Sequence, residues 1–379
     1  MSSSTISTSV CQRLVEVLAV VPDPRDRRGI RHQLPGVVAV ALSAVLAGAR
    51  SYAAIGQWAG DLSGDQRMQV GLTRAYPPNA STFRRLLQRL EADGLDALLG
   101  AYMWTRTTVI EGRRVIAIDG KTVRGARTVD ASQPSGATTA PHLVAAFDHA
   151  TGTILGQVAT AAKSNEIPTV RTLLASFDLA ADRGVVVTVD AMHTQTDTAQ
   201  TITAAGGHYV FTVKANQPTL YAACKNLPWS QVKSHTQVQV GHGRRAHRAI
   251  KVLTAPAWIT FTAAAQVAQI RRTTTRRGRK TVEVVYVITS ADHHAAPPPV
   301  LAAWVQGHWG IENRAHWVRD VTFDEDRSRV RTGNGPQVMA TLRNTAISLL
   351  RLDGHPNIAA AQRHHATNPS RPINLLLTS

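Results

Sequence analysis

Two stretches of the chain share one hydrophobic pattern. Val115 to Ile118 is an apolar, partly β-branched run that ends in Asp119-Gly120-Lys121, and Gly184 to Val189 is a second that ends in Asp190. Such runs read as buried strands, each stopping at a carboxylate; Gly120 is expected to break the first. From Met192 to Gly207 apolar positions recur at helical spacing, with Thr194 as the capping residue and Gly206-Gly207 as the stop, and His208 to Val213 follows as another strand. Strand, helix and strand at this length predict a βαβ unit with parallel strands, which sets Asp190 at a carboxyl end, where open α/β sheets place ligands. If the Asp119 strand is a neighbour, the two acids can share a divalent cation that offsets their repulsion.

Upstream, the pattern is helical. Leu14 to Val21 is a short helix stopped by Pro22 and Pro24, Leu34 to Ala49 an apolar helix, and Tyr52 to Ala59 carries aromatics at core spacing. Ser81 caps a helix that runs through Leu90 before a break at Gly94. On it Phe83, Leu86, Leu87 and Leu90 can face a core, leaving Arg84, Arg85 and Arg89 outward, as a groove-binding helix or an ordinary amphipathic one would.

Downstream of Asp119 the reading is a Ser, Thr, Ala and Gly-rich loop (Thr128 to Thr139), a hairpin of His142 to Phe147 with Thr153 to Val158, and a helix from Ser164-Asn165-Glu166 through Leu174. Three antiparallel strands, a helix, a parallel strand, a helix and a strand is the element order of an α/β, ribonuclease-H-like core. Residues 217–295 break that alternation. They read as an insertion of short strands joined by basic turns, GHGRRAHR at 241–248 and RRTTTRRGRK at 271–280, closed by a strand over Val282 to Thr289. The expected organisation is a helical region over 1–105, a catalytic core over 106–352 with its insertion, and a basic polar tail over 353–379.

Charge adds a partner. Lys and Arg total 42 against 25 Asp and Glu, a net charge of +17 and a pI near 10.9. The excess is spread along the chain, which suits a folded surface meeting a polyanion, with double-stranded nucleic acid first; Arg244 and Arg245 stand in one of the basic turns. Two cysteines, Cys11 and Cys224, make neither a disulfide framework nor a zinc site by themselves, as in a reducing cytosol. The start MSSSTISTSV lacks a signal pattern, and the longest apolar run falls short of the ~20 residues of a membrane span. A cytoplasmic location without a membrane partner is expected.

Ala302 to Arg331 holds the remaining chemistry. Trp304, His308, Glu312, His316 and Asp320 recur at four-residue spacing, with Trp309 and Trp317 beside them. Core packing with satisfied polar tips is one reading, and ligation by His308 and His316 around Glu312 is another. Glu312 is preferred as a third carboxylate, with Asp320, Glu325 and Asp326 as rivals that spacing does not separate.

Taken together, DPRDRRGIRH, LAGARSYAAIGQWA, IAIDGKTVRGA, VTVDAMHTQ, GHYVFTVKANQPTL and HWGIENRAHWVRDVTFDEDRSRVRTGNGPQ cover most of the chain. In these the chain resembles the H-repeat-associated insertion-sequence transposases, a bacterial family with a DDE triad on a ribonuclease-H-like fold. Ala246, Gln306 and Arg319 depart from the family pattern, and none of them falls on the triad. The resemblance implies that Asp119, Asp190 and Glu312 hold Mg²⁺, with Mn²⁺ able to substitute, and that the chain cleaves DNA at element ends and joins them to target DNA. It further implies terminal-repeat and target DNA as partners, a homodimer to join two ends, and a place at the bacterial nucleoid. Lys121, Lys214, Asn216, His308 and Arg319 become phosphate-holding candidates near the site. Two other readings are a silent, domesticated DNA-binding protein and a nuclease without strand transfer.

Overall fold

Leu34–Leu46 is apolar all round, so its helix has no face to give to water. In the computed structural model it is buried at every residue but Pro35, at the centre of a helical layer. The structure describes residues 13–28, 30–107, 109, 113–129, 138–160, 166–241 and 244–379. Cys11, the first ten residues, Ser164-Asn165, most of the Thr128 to Thr139 loop, His242-Gly243 and the side chain of Arg244 lie outside the described residues.

Among the described residues six helices precede the sheet: α1 (Leu14–Ala19), α2 (Leu34–Leu46), α3 (Tyr52–Gly60), α4 (Gly64–Gln69), α5 (Ala80–Arg89) and α6 (Ala92–Arg106). Their starts follow side-chain caps. Ser51 Oγ accepts from Ala54 N at 3.2 Å for α3. Asn79 Oδ1 accepts from Thr82 N at 2.9 Å, so Asn79 caps α5 and Ser81 does not. Gly94 does not end that region: it lies in the first turn of α6, its N–H bonded to the capping carboxylate of Glu91. Deeper in α6, Gly100 lets the helix lie against the sheet, because a Cβ there would strike Leu155 O.

Among the described residues the sheet has nine strands in the order β5-β4-β1-β6-β7-β11-β10-β9-β8. β1 (Val115–Thr122), β4 (His142–Asp148) and β5 (Ile154–Thr160) form an antiparallel meander. The short β2 (Thr128–Val129) and β3 (Thr138–Thr139) pair apart from it. After α7 (Glu166–Leu174), β6 (Val186–Val189) returns parallel to β1, and α8 (Thr196–Ala204) leads to β7 (His208–Val213), parallel to β6. The βαβ unit and the neighbouring acid-bearing strands therefore form as the pattern predicts. Thr194 does not cap α8; its hydroxyl donates to Thr212 O at 2.6 Å.

Gly120 does not break β1, which pairs with β4 through Thr122. It is a glycine for space: a Cβ there would strike His142 and Glu166. The segment read as an insertion is α9 (Pro218–Lys225) followed by β8 (His235–Gly241), β9 (Arg244–Thr254), β10 (Gln266–Arg276) and β11 (Arg279–Thr289). These strands are long, and they extend the main sheet because β11 pairs antiparallel with β7. The basic stretch at 271–280 is mostly strand, turning at Arg277-Gly278, both at positive φ.

α10 (Pro298–His308) continues into π-helical turns at Glu312–His316 and Val318–Thr322. α11 (Gly335–Leu352) is buried along nearly its whole length and packs on α2, α5, α6 and β5. Residues 353–379 are not a polar tail. They form α12 (Ile358–Ala366) and α13 (Ser370–Thr378), which bury Ile358, Ala361, Ile373 and Leu376, and Ser379 O accepts from Leu14 N at 3.1 Å. Among the described residues no helix is long and apolar enough to cross a membrane.

Candidate active site

β1 and β6 lie side by side with Ile118 opposite Val189, so the residues that follow, Asp119 and Asp190, project from one edge of the parallel pair. Asp190 ends its strand and caps the turn Ala191–His193, accepting from Met192 N at 3.0 Å. Asn216 steadies the same turn by donating to Ala191 O at 2.7 Å. Glu312 reaches the site from the π-helical turn after α10. A π turn widens the helix and resets which side chains share a face, a device frequent at functional sites.

Asp119, Asp190 and Glu312 line one cavity of about 250 Å³. Its opposite wall comes from the extended sheet, with Arg248, Arg272 and Glu283 among the lining residues, and Lys214 stands after β7 at its rim. Glu312 thus lines the cavity with the two aspartates, close to Asp119, and its rivals do not. Asp320 pairs with Lys121, Asp326 faces Arg124 at 3.5 Å, and Glu325 is fully buried between Arg319 and Arg343, at 2.7 and 2.8 Å.

His316 completes a ligand-like group. Its Nδ1 is 3.5 Å from Asp119 Oδ2 and 3.6 Å from Glu312 Oε2. Burial and the adjacent Glu312 push the Asp119 carboxyl well above the ordinary carboxylate range. Contact with His316 holds Glu312 well below it, and burial keeps His316 toward the neutral form. Two acids and an imidazole have ligand atoms within 4.8 Å of one another, and a divalent cation would relieve the repulsion between the two carboxylates.

Behind the acids lies a line of neutral imidazoles. Burial pushes His149 down to about 3 and His308 down to about 4. Thr188 Oγ1 is 3.2 Å from His149 Nε2, 3.0 Å from His308 Nδ1 and 3.2 Å from Ile116 O. With one hydroxyl hydrogen given to Ile116 O, both imidazoles donate to Thr188. His308 then keeps a lone pair on Nε2 in the cavity wall. On the far side, Glu166 accepts from His142 Nε2 at 2.7 Å and His193 Nε2 at 3.0 Å. Burial alone would raise Glu166, yet these two bonds hold it down to about 2.

The proposed phosphate contacts separate. Lys214 and His308 line the cavity, His308 uncharged. Lys121 is buried against Asp320, and Asn216 is engaged with the backbone. Arg319 is 1 % exposed and bonded to Glu325, Gln157 and Asn344, so it holds the core and does not reach DNA. Arg84 and Arg85 share a depression with Arg329 and Arg331, while Arg89 donates to Pro24 O. Arg245 is exposed on β9. His149 and Glu166 escape the sequence reading as site residues, since only their distant partners give them a role, whereas Arg248 and Arg272 stand in the two stretches read as basic turns.

The family described as "Transposase DDE domain" matches residues 110–349, and one described as "DDE_Tnp_1-associated" matches residues 15–103. Three Escherichia coli proteins are similar along most of their length. "Putative protein YbfL" of strain K12 is 31% identical over 356 residues, covering 90% of this chain and 91% of its own. "H repeat-associated putative transposase YhhI" of K12 is 30% identical with the same coverage. "Putative transposase YncI" of O157:H7 is 29% identical, covering 90% and 87%.

Proposed function

The chain belongs to the DDE-domain transposases, and from that premise we propose that Asp119, Asp190 and Glu312 are its catalytic acids, on a ribonuclease-H-like core. The observation that carries this reading is the single cavity lined by all three, at the carboxyl edge of two parallel strands. The strand order β5-β4-β1-β6-β7 supports the core assignment.

The residues present fit a hard divalent cation, Mg²⁺ or Mn²⁺, because the buried Asp119 carboxyl is a poor neighbour for Glu312 without one. Held by these acids, such a cation would supply Lewis-acid polarisation of a phosphodiester and neutralise developing charge. The side chains do the rest. Lys214 holds a phosphate, His308 Nε2 offers a neutral hydrogen-bond acceptor in the cavity wall, and His316 keeps Asp119 and Glu312 together. The reaction is cleavage at an element end, leaving a 3′-hydroxyl, followed by attack of that hydroxyl on target DNA, with a homodimer bringing two ends together.

Strand transfer separates this reading from a simple nuclease. A duplex carrying an element end with a free 3′-hydroxyl, incubated with plasmid and Mg²⁺, should become covalently joined to the plasmid. Nicking without joined product would leave a nuclease, and tight binding with neither product a silent DNA-binding protein.

Arg84 and Arg85, which share a depression with Arg329 and Arg331, are read as phosphate contacts. Changing both Arg84 and Arg85 to Ala should weaken end binding and flatten the slope of log affinity against log salt by about 2. An unchanged slope in a salt titration would remove them from the interface.

A further inference from the structure

The end of α11 carries a second group of metal-type donors that the proposed reaction does not use. Asp353 is the C-cap of α11, Gly354 turns the chain at φ +84°, and His355 N bonds back to Leu350 O at 2.9 Å. That turn brings His355 to α12, where His365 sits in the last turn. A carboxylate oxygen of Asp353 and ring nitrogens of His355 and His365 lie within 4.8 Å of one another. His355 Nε2 is 3.3 Å from Asp353 Oδ2.

The second observation is His365 itself. It is 3 % exposed, and neither ring nitrogen has a hydrogen-bond partner among the described residues. Buried polar atoms are nearly always satisfied, so two unpaired nitrogens on one ring point to a missing partner. Burial also holds this imidazole below its usual range, in the neutral form that binds metals. His364, exposed on the same turn, has its ring centre 5.5 Å from that of His365 and 6.1 Å from that of His355, which gives a fourth donor at hand.

We propose that Asp353, His355 and His365 bind one divalent ion of the zinc class, separate from the catalytic acids. Two imidazoles and one carboxylate suit Zn²⁺, whereas Mg²⁺ prefers oxygen donors. The ion ties the end of α11 to α12. Because α12 packs on α2 and on the π turn Val318–Thr322, it fixes the C-terminal helices beside the segment that follows Glu312.

The test uses the full chain, stripped of metal and then held in excess Mg²⁺ so that carboxylate sites are filled. Calorimetry should show one Zn²⁺ taken up per chain, Co²⁺ should develop visible ligand-field bands, and Zn²⁺ should raise the thermal midpoint by a few degrees, roughly. Asp353→Asn and His355→Ala, at an exposed and a half-buried position, should keep the fold and weaken Zn²⁺ binding at least about tenfold. His365→Gln should do the same, and Asp119→Asn should leave Zn²⁺ binding intact. The proposal is overturned by absence of Zn²⁺ uptake in Mg²⁺, by uptake unchanged in Asp353→Asn and His355→Ala, or by uptake lost in Asp119→Asn.

Discussion

Replacing Asp119, Asp190 or Glu312 by Ala is expected to lower cleavage of a labelled element end in Mg²⁺ by about 10³-fold or more, with end binding near the wild-type level. The size follows from losing one ligand of a catalytic cation, several kcal/mol of transition-state stabilisation at about 1.4 kcal/mol per tenfold. A stability readout checks the same assignment without activity. Asp119 has its proton affinity raised by burial and by Glu312, so its own contribution to the metal-free fold is complete at low pH and is lost as pH rises above the ordinary carboxylate range, whereas that of Glu312 is lost only as pH falls through about 2. Asp119→Asn removes that loss and should melt higher than wild type at alkaline pH without metal. Added Mg²⁺ should raise the wild-type midpoint and leave that of Asp119→Asn unmoved. Full cleavage by Glu312→Ala would remove Glu312 from the triad.

What can be read from the chain is what local pattern controls. Val115 to Ile118 and Val186 to Val189 are buried runs in any packing, and the helix between β6 and β7 leaves those strands only a parallel arrangement. What escapes depends on partners far away in sequence. Gly120 reads as a strand breaker because glycine usually is one; here the strand continues and the missing Cβ makes room for Glu166 and His142. The basic stretch RRTTTRRGRK reads as a turn from its charge, yet Arg272 pairs across the strands with Glu283 at 2.7 Å and only Arg277-Gly278 turn. Likewise, 353–379 reads as polar because its apolar positions are sparse, yet Ile358, Ile373 and Leu376 find α2 and its neighbours. At the site, spacing brings His308, Glu312 and His316 together but leaves Glu325 standing as a rival, since no sequence pattern shows that an acid has two buried arginines waiting for it.

That rival gives the second large effect. Glu325→Ala is expected to destabilise the fold by about 3–5 kcal/mol, enough to lose most of the soluble, folded chain on expression. Glu325 is 0% exposed, and its two oxygens take Arg319 and Arg343, themselves 1% exposed, so its removal strands two guanidinium groups in the core. Arg319 also bonds Gln157 of β5 and Asn344 of α11, which makes the cluster the joint between the sheet, α11 and the helix that carries Glu312. Burial alone would raise Glu325, but the two arginines hold it down to about 2. Its contribution is therefore present above the ordinary carboxylate range and is lost as pH falls through about 2. Urea unfolding of Glu325→Gln checks the magnitude. A simultaneous change of Glu325, Arg319 and Arg343 to apolar residues of similar size should recover most of the stability, because no charge is then left unpaired. If that triple variant also cleaves DNA, the acid at 325 serves packing and the acid at 312 serves chemistry; if Glu325→Gln folds as well as wild type but does not cleave, the two assignments must be exchanged.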